Sequence, residues 1–303
     1  MAEWPAQLPE AVTIVEVGPR DGLQSADANL PTAQKVELIE RLVAAGLRHI
    51  EATSFVSPRA VPLLADADQV MARVKREPGV RYIALVPNRR GLERAIAAHV
   101  DEVTLPISAS DGHSRANLRR STAEVLAQVP ELVELAHGHG LRVRGGIATA
   151  FGCPYEGVVP VERVLWLTRQ LVEAGVDSLT LADTVGMAHP LQVEELVCKV
   201  REVLPPGFPL GIHLHDTRGI GLANALAALQ AGVTEFDASV GGIGGCPFAP
   251  GAPGNISTEG LVYMLEQMGI RTNVDGEAVE EAARWLHGRL KSETDARSQE
   301  GYR

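Results

Sequence analysis

Gly211-Ile212-His213-Leu214-His215-Asp216-Thr217 is an apolar, β-branched run that ends in a polar burst. It reads as a strand that carries polar groups to its C-terminal end. Side chains alternate faces along a strand, so His213 and His215 share a face, about 6–7 Å apart. Two imidazoles so placed suit one metal ion. A pair of histidines hydrogen-bonded in a core fits the same spacing, and His-x-His alone does not separate the two.

Runs of the same kind recur along the chain. They cover residues 12–17, 49–53, 82–86, 102–107, 141–149, 178–182, 210–215 and 235–240. Between them lie amphipathic segments at 32–45, 63–75, 90–98, 122–137, 161–174, 191–203 and 221–231, with apolar residues returning at three and four. Several of these close on glycine (Gly46, Gly140, Gly175, Gly232), a C-terminal signal for a helix. Eight strand–helix units in this length predict an α/β fold, a (β/α)₈ TIM barrel. A doubly wound sheet competes, but no Gly-x-Gly-x-x-Gly follows the first strand. The eighth unit's helix is expected at 258–268, followed by an additional C-terminal helix at 276–290. The organisation expected is one catalytic domain over residues 1–291 and a polar tail over 292–303.

The chain has 303 residues, 45% of them hydrophobic, which is enough for one large core. Its net charge of −10 argues against nucleic acid as a partner. Cys153, Cys198 and Cys246 are odd in number and widely spaced, so neither a disulfide framework nor a zinc ribbon follows. A reducing, cytoplasmic compartment fits that usage. Residues 1–9 lack the pattern of a signal peptide, and no apolar run reaches transmembrane length, so no membrane is expected.

A barrel of this kind places its chemistry at the C-terminal ends of its strands. The first strand runs into Glu16-Val17-Gly18-Pro19-Arg20-Asp21-Gly22-Leu23-Gln24. Asp21 is a candidate metal ligand and Arg20 a fixed cation for a developing oxyanion; an Asp-Gly turn with a structural Arg–Glu pair is the plainer alternative. Glu51 sits in an apolar strand, which costs free energy unless it is paired, for instance with Arg20. Cys153 reads as a packed thiol. Asp183, at the end of the sixth strand, fits a proton or metal site or an ordinary helix cap. After the eighth strand comes the glycine-rich segment 240–254, with Cys246 in its middle, placed as a lid would place a proton donor. Asn255 follows it. Asp21, His213, His215 and Asn255 together offer a carboxylate, two imidazoles and an amide oxygen. That hard set, with open positions left for substrate, suits Mg²⁺ or Mn²⁺ better than zinc.

Five motifs in order resemble the 3-hydroxy-3-methylglutaryl-CoA lyase family of metallolyase barrels. They are residues 16–24, Ser54-Phe55-Val56-Ser57-Pro58, Gly152-Cys153-Pro154-Tyr155-Glu156-Gly157, His213-x-His215-Asp216-Thr217 and Gly244-Gly245-Cys246-Pro247. The resemblance runs from about Val12 to about Val274. It implies Asp21, His213, His215 and Asn255 as the ligands of Mg²⁺ or Mn²⁺, Arg20 beside the enolate oxygen, Cys246 in proton transfer, and Glu51 and Asp183 as supporting acids. It implies cleavage of a 3-hydroxyacyl-CoA between C2 and C3, giving acetyl-CoA and a keto acid, and a homodimer. His213 and Asp21 are the candidate bases. Substrate contacts are expected from Arg20, Gln24, Asp183, Thr180 and Arg218, and CoA phosphate contacts from Arg59, Arg89, Arg90, Arg119 and Arg120. No organic cofactor is expected.

Some strand ends depart from the family pattern. Arg218-Gly219-Ile220 stands where Tyr-Gly-Gln is usual, and Thr180-Leu181-Ala182-Asp183-Thr184 where Ser-Leu-Gly-Asp-Thr is usual. Gly145-Gly146 and Thr149 replace a Gly-Tyr and a cysteine. The 3-hydroxy-3-methylglutaryl thioester is the leading substrate. Citramalyl-CoA, with Arg218 on its carboxylate, and a longer branched 3-hydroxyglutaryl-CoA are alternatives. A condensing enzyme of the isopropylmalate-synthase type shares Arg-Asp and His-x-His, but lacks the Gly-Gly-Cys-Pro loop.

Overall fold

The computed structural model of the protein describes residues 8–26, 29–244 and 254–300, the side chains of 292–300 excepted. Eight parallel strands close on themselves in sequence order: β1 (Thr13–Glu16), β2 (His49–Ser54), β3 (Arg81–Leu85), β4 (Glu102–Ser108), β5 (Arg142–Ala148), β6 (Ser178–Asp183), β7 (Leu210–Leu214) and β8 (Glu235–Ala238). β1 pairs with β2 on one side and with β8 on the other, which completes the barrel. Each predicted strand is present, displaced by at most two residues at an end.

The helices around it are α1 (Thr32–Ala44), α2 (Ala67–Arg73), α3 (Arg89–Ala97), α4 (Asp111–Leu118), α5 (Thr122–Leu126), α6 (Val129–Gly138), α7 (Val161–Glu173), α8 (Pro190–Val203), α9 (Gly221–Gln230), α10 (Thr258–Gln267) and α11 (Gly276–Glu300). The closing glycines Gly46, Gly140, Gly175 and Gly232 all take positive φ, as the helix ends require. The main core lies between strands and helices, with Leu38, Ile39 and Leu42 of α1 and Val193, Leu196 and Val197 of α8 fully enclosed. α11 packs Val279, Ala282 and Leu286 onto the same core.

Three expectations need correction. The single helix expected over 122–137 is two helices, because Pro130 in the first turn of α6 lacks an N–H and its ring excludes a carbonyl one turn earlier. The helix expected over 63–75 is a 3-10 turn at Pro62–Leu64 and then α2; Asp66 between them is taken by Lys35 Nζ at 2.6 Å and Thr32 Oγ1 at 2.7 Å. The additional C-terminal helix does not stop near 290; its backbone continues to Glu300. α4 was not foreseen. Ser110 caps it by accepting from the His113 N–H, a local signal set in a weakly periodic stretch.

The barrel interior is polar. Val15, Val17 and Ile83 form only a small separate apolar cluster. Next to it runs a buried ionic set. Arg144 donates to Glu235 at 2.8 Å and Asp237 at 2.7 Å, and Glu102 pairs with Arg81 at 3.2 Å. Arg144 is 1% exposed.

Candidate metal centre

The chain turns sharply at the end of β1. Glu16 is completely buried; its carboxylate accepts from the Gly18 N–H at 2.7 Å, the Val240 N–H at 2.9 Å and Thr258 Oγ1 at 2.7 Å. Those bonds tie the ends of β1 and β8 together. Burial pushes the Glu16 carboxyl up to about 7, against its three hydrogen bonds. A π-helical turn follows, Gly18–Gly22, a rare geometry that is frequent at functional sites. It aims Arg20 and Asp21 at the barrel mouth.

Arg20 is nine-tenths buried and lies between two carboxylates. It donates to Glu51 at 2.5 Å and to Asp21. Gln24 Nε2 donates to Asp21 Oδ1 at 3.0 Å. Across the barrel, residues 254–256 run back along the end of β7: the Asp216 N–H donates to the Gly254 carbonyl and the Ile256 N–H to the Leu214 carbonyl. This pairing sets Asn255 opposite His215 and brings its amide to Asp21 Oδ2, 2.9 Å away.

His213 Nε2 and His215 Nε2 stand 3.9 Å and 4.0 Å from the same Asp21 oxygen. One donor atom from each of the three residues lies within 4.8 Å of the others. These separations are too long for hydrogen bonds. They are near the ~3–4 Å between atoms that share a cation at ~2.1 Å from each. Among the described residues, Asn255 Oδ1 and His215 Nδ1 are buried without a partner, and such an atom costs about 1–3 kcal/mol unless something meets it. Turning the Asn255 amide about its last bond presents its oxygen beside Asp21. The donor set therefore fits a hard divalent cation, and it contains no thiolate.

Electrostatics supports the ligand forms of Asp21 and His215. Burial alone would raise Asp21, but Arg20, with His213, His215 and Asn255, holds its carboxyl far below the usual carboxylate range. Burial and the neighbouring His213 push His215 down to about 4, so it is a neutral imidazole near pH 7. His213 is raised: burial opposes its charge, but the hydrogen bond to Asp237 and the charge of Asp21 outweigh it.

Arg20, Asp21, Gln24, Glu51, His213, His215 and Asn255 thus converge. Asp183 is close enough to feel the charge of His213 but is engaged by its own turn: burial raises its carboxyl, and its oxygens accept from the Met187 N–H at 2.8 Å and the Ala188 N–H at 3.1 Å. Thr180 lies deeper in the barrel, beside Gly211 and Arg144, rather than with the ligands. Arg218 is exposed and donates to the Gly186 carbonyl. Arg89 is engaged by Glu93 and Glu131. Cys153 is buried with its sulfur 2.9 Å from Ser110 Oγ, as a packed thiol should be. Cys246 and residues 245–253 lie outside the described residues. Sequence reasoning passed over Asp237 and Arg144. Their signal was charge at a spacing of two on apolar strands, Arg142-x-Arg144 and Glu235-x-Asp237.

A model of the HMGL-like family matches residues 11–286. Hydroxymethylglutaryl-CoA lyase YngG of Bacillus subtilis is 47% identical over 285 residues, 93% of this chain and 94% of that protein. (R)-citramalyl-CoA lyase of Chloroflexus aurantiacus is 46% identical, over 93% and 92%. Among solved structures, an HMG-CoA lyase from Acinetobacter baumannii in complex with coenzyme A and 3-methylmalate superposes with a TM-score of 0.89 at 43% identity, over 93% and 92%.

Proposed function

We propose a reaction from one established premise: the chain belongs to the HMGL-like family. It is a metal-dependent carbon–carbon lyase that cleaves a 3-hydroxyacyl-CoA between C2 and C3. The substrate read for it is 3-hydroxy-3-methylglutaryl-CoA, split to acetyl-CoA and acetoacetate in a reducing, cytoplasmic compartment, by a homodimer. The observation that carries this reading is the convergence of Asp21, His213 and His215 on one point, with the Asn255 amide beside Asp21 and Arg20 alongside.

A divalent cation held by Asp21, His213, His215 and Asn255, Mg²⁺ or Mn²⁺, supplies Lewis acidity that makes a neighbouring hydroxyl easier to deprotonate. The chain's own groups account for the rest. When C2–C3 breaks, electron density moves to the thioester oxygen, and the buried Arg20 guanidinium stabilises it there. Glu51 and Asp21 fix that guanidinium, so it needs no reorganisation as charge develops. Neither candidate base takes the hydroxyl proton directly: Arg20 holds the proton affinity of Asp21 low, and His213 would give its Nε2 lone pair to the cation, so the proton passes to bulk water at the barrel mouth. Cys246 is the proposed donor of the proton that returns to C2.

The citramalyl reading is kept for one reason: the two relatives differ by a single percentage point in identity. Arg218 offers it little support, since its guanidinium already serves the Gly186 carbonyl. Acetyl-CoA release from 3-hydroxy-3-methylglutaryl-CoA and citramalyl-CoA, side by side with Mg²⁺ or Mn²⁺, tests the proposal. Faster release from the first supports it, with both rates lost in EDTA. Faster release from the second replaces the substrate and not the reaction class. No release from either overturns the lyase reading.

A further inference from the structure

His213 and His215 sit two residues apart, yet only one has its outer ring nitrogen engaged. His213 Nδ1 lies 3.2 Å from Asp237 Oδ2, whereas His215 Nδ1 has no partner among the described residues. The Asp237 contact follows from the sheet: His213 and Asp237 are register partners on the adjacent parallel strands β7 and β8. The second Asp237 oxygen accepts from Arg144 Nη2 at 2.7 Å. Gly211, one step down the same face of β7, leaves the space that Arg144 crosses; a Cβ there would lie 2.9 Å from Arg144 Nη2.

Resting on the metal-centre reading above, we infer that Asp237, braced by Arg144, is the positioning residue of His213. It accepts a hydrogen bond from the Nδ1–H and turns Nε2 toward the cation, so that metal affinity depends on a carboxylate that never touches the ion. Imidazole ligands are commonly held this way, and removing the outer partner weakens metal binding about 10–100-fold. A role confined to pairing Arg144 would lower stability and leave metal affinity alone. Glu235 also pairs with Arg144, so an Asp237→Asn protein keeps one partner for the buried cation.

The test uses the full chain stripped of metal and titrated with Mn²⁺ alone, free Mn²⁺ being read by electron paramagnetic resonance. The set is the wild type, Asp237→Asn, His213→Ala and the double variant. Asp237→Asn should bind Mn²⁺ about 10–100-fold more weakly, and the same change should add less than about twofold on top of His213→Ala. Wild-type affinity in Asp237→Asn, or an equal loss in the His213→Ala background, overturns the inference while the metal centre stands. A wild type that does not bind Mn²⁺ overturns the metal centre itself. If Asp237→Asn does not fold, ¹⁵N-histidine-labelled wild type loaded with Mg²⁺ decides. A proton on His213 Nδ1 and none on Nε2 is expected, and a proton on Nε2 refutes the inference.

Discussion

The mouth and the floor of this barrel are built from the same residue types and are balanced differently. On the floor, the Arg144 guanidinium faces Glu235 and Asp237, and Glu102 faces Arg81; charge there meets charge. At the mouth, Arg20 is compensated by Glu51 and Asp21, but Asn255 Oδ1 and His215 Nδ1 meet no partner among the described residues. The floor also leaves Arg144 Nε and Thr180 Oγ1 without a partner among the described residues, so unmet atoms alone do not set the ends apart. At the mouth they stand beside a carboxylate and two imidazoles with donor atoms around one point, which suits a cation. Asp237 belongs to both, with one oxygen on Arg144 and the other on His213.

Substitutions at the two ends should separate stability from turnover. Arg144→Met strands Asp237 and Glu235 without their cation and should destabilise the protein by about 3–5 kcal/mol. The urea midpoint reads this, and an unchanged midpoint would mean the floor is not a structural charge set. Arg20→Gln removes the cation beside the proposed enolate oxygen and should lower turnover about 10²–10³-fold. Wild-type turnover in that variant would move the reacting centre away from the β1 turn. Gly211→Ala drives a methyl group into the space of Arg144 and should cost about 1–3 kcal/mol in unfolding free energy.

An effect of similar size is expected at the seam between β1 and β8. Glu16 titrates near 7 in the fold against an ordinary value of 4.5, so between those values the native state holds a proton that the unfolded chain has released. The stability it contributes is present below the unfolded value and is lost as pH rises through about 7. Comparing unfolding free energies at about pH 5 and about pH 8, the wild type should lose about 2–3 kcal/mol more than Glu16→Gln does. Parallel pH profiles would place the titrating group elsewhere.

Much of this could be read directly. The alternation of β-branched runs and amphipathic segments specified the barrel, because strand and helix periodicities are local properties of the chain. His213 and His215 on one face followed from strand geometry, and Arg20, Asp21 and Glu51 stood out as charge at the ends of apolar strands. What the chain in one dimension could not supply was partnership. Asp237 is 24 residues from His213 and 93 from Arg144, and only closure of the sheet brings β5, β7 and β8 to one level. The same closure separated residues that looked alike. Asp183 turned to its own backbone, Thr180 sank below the site, and Arg218 stayed at the surface on the Gly186 carbonyl. Local pattern determined which residues could carry charge to the barrel. Register and burial decided which of those charges are satisfied, because a carboxylate buried in a protein is defined by the atoms that reach it.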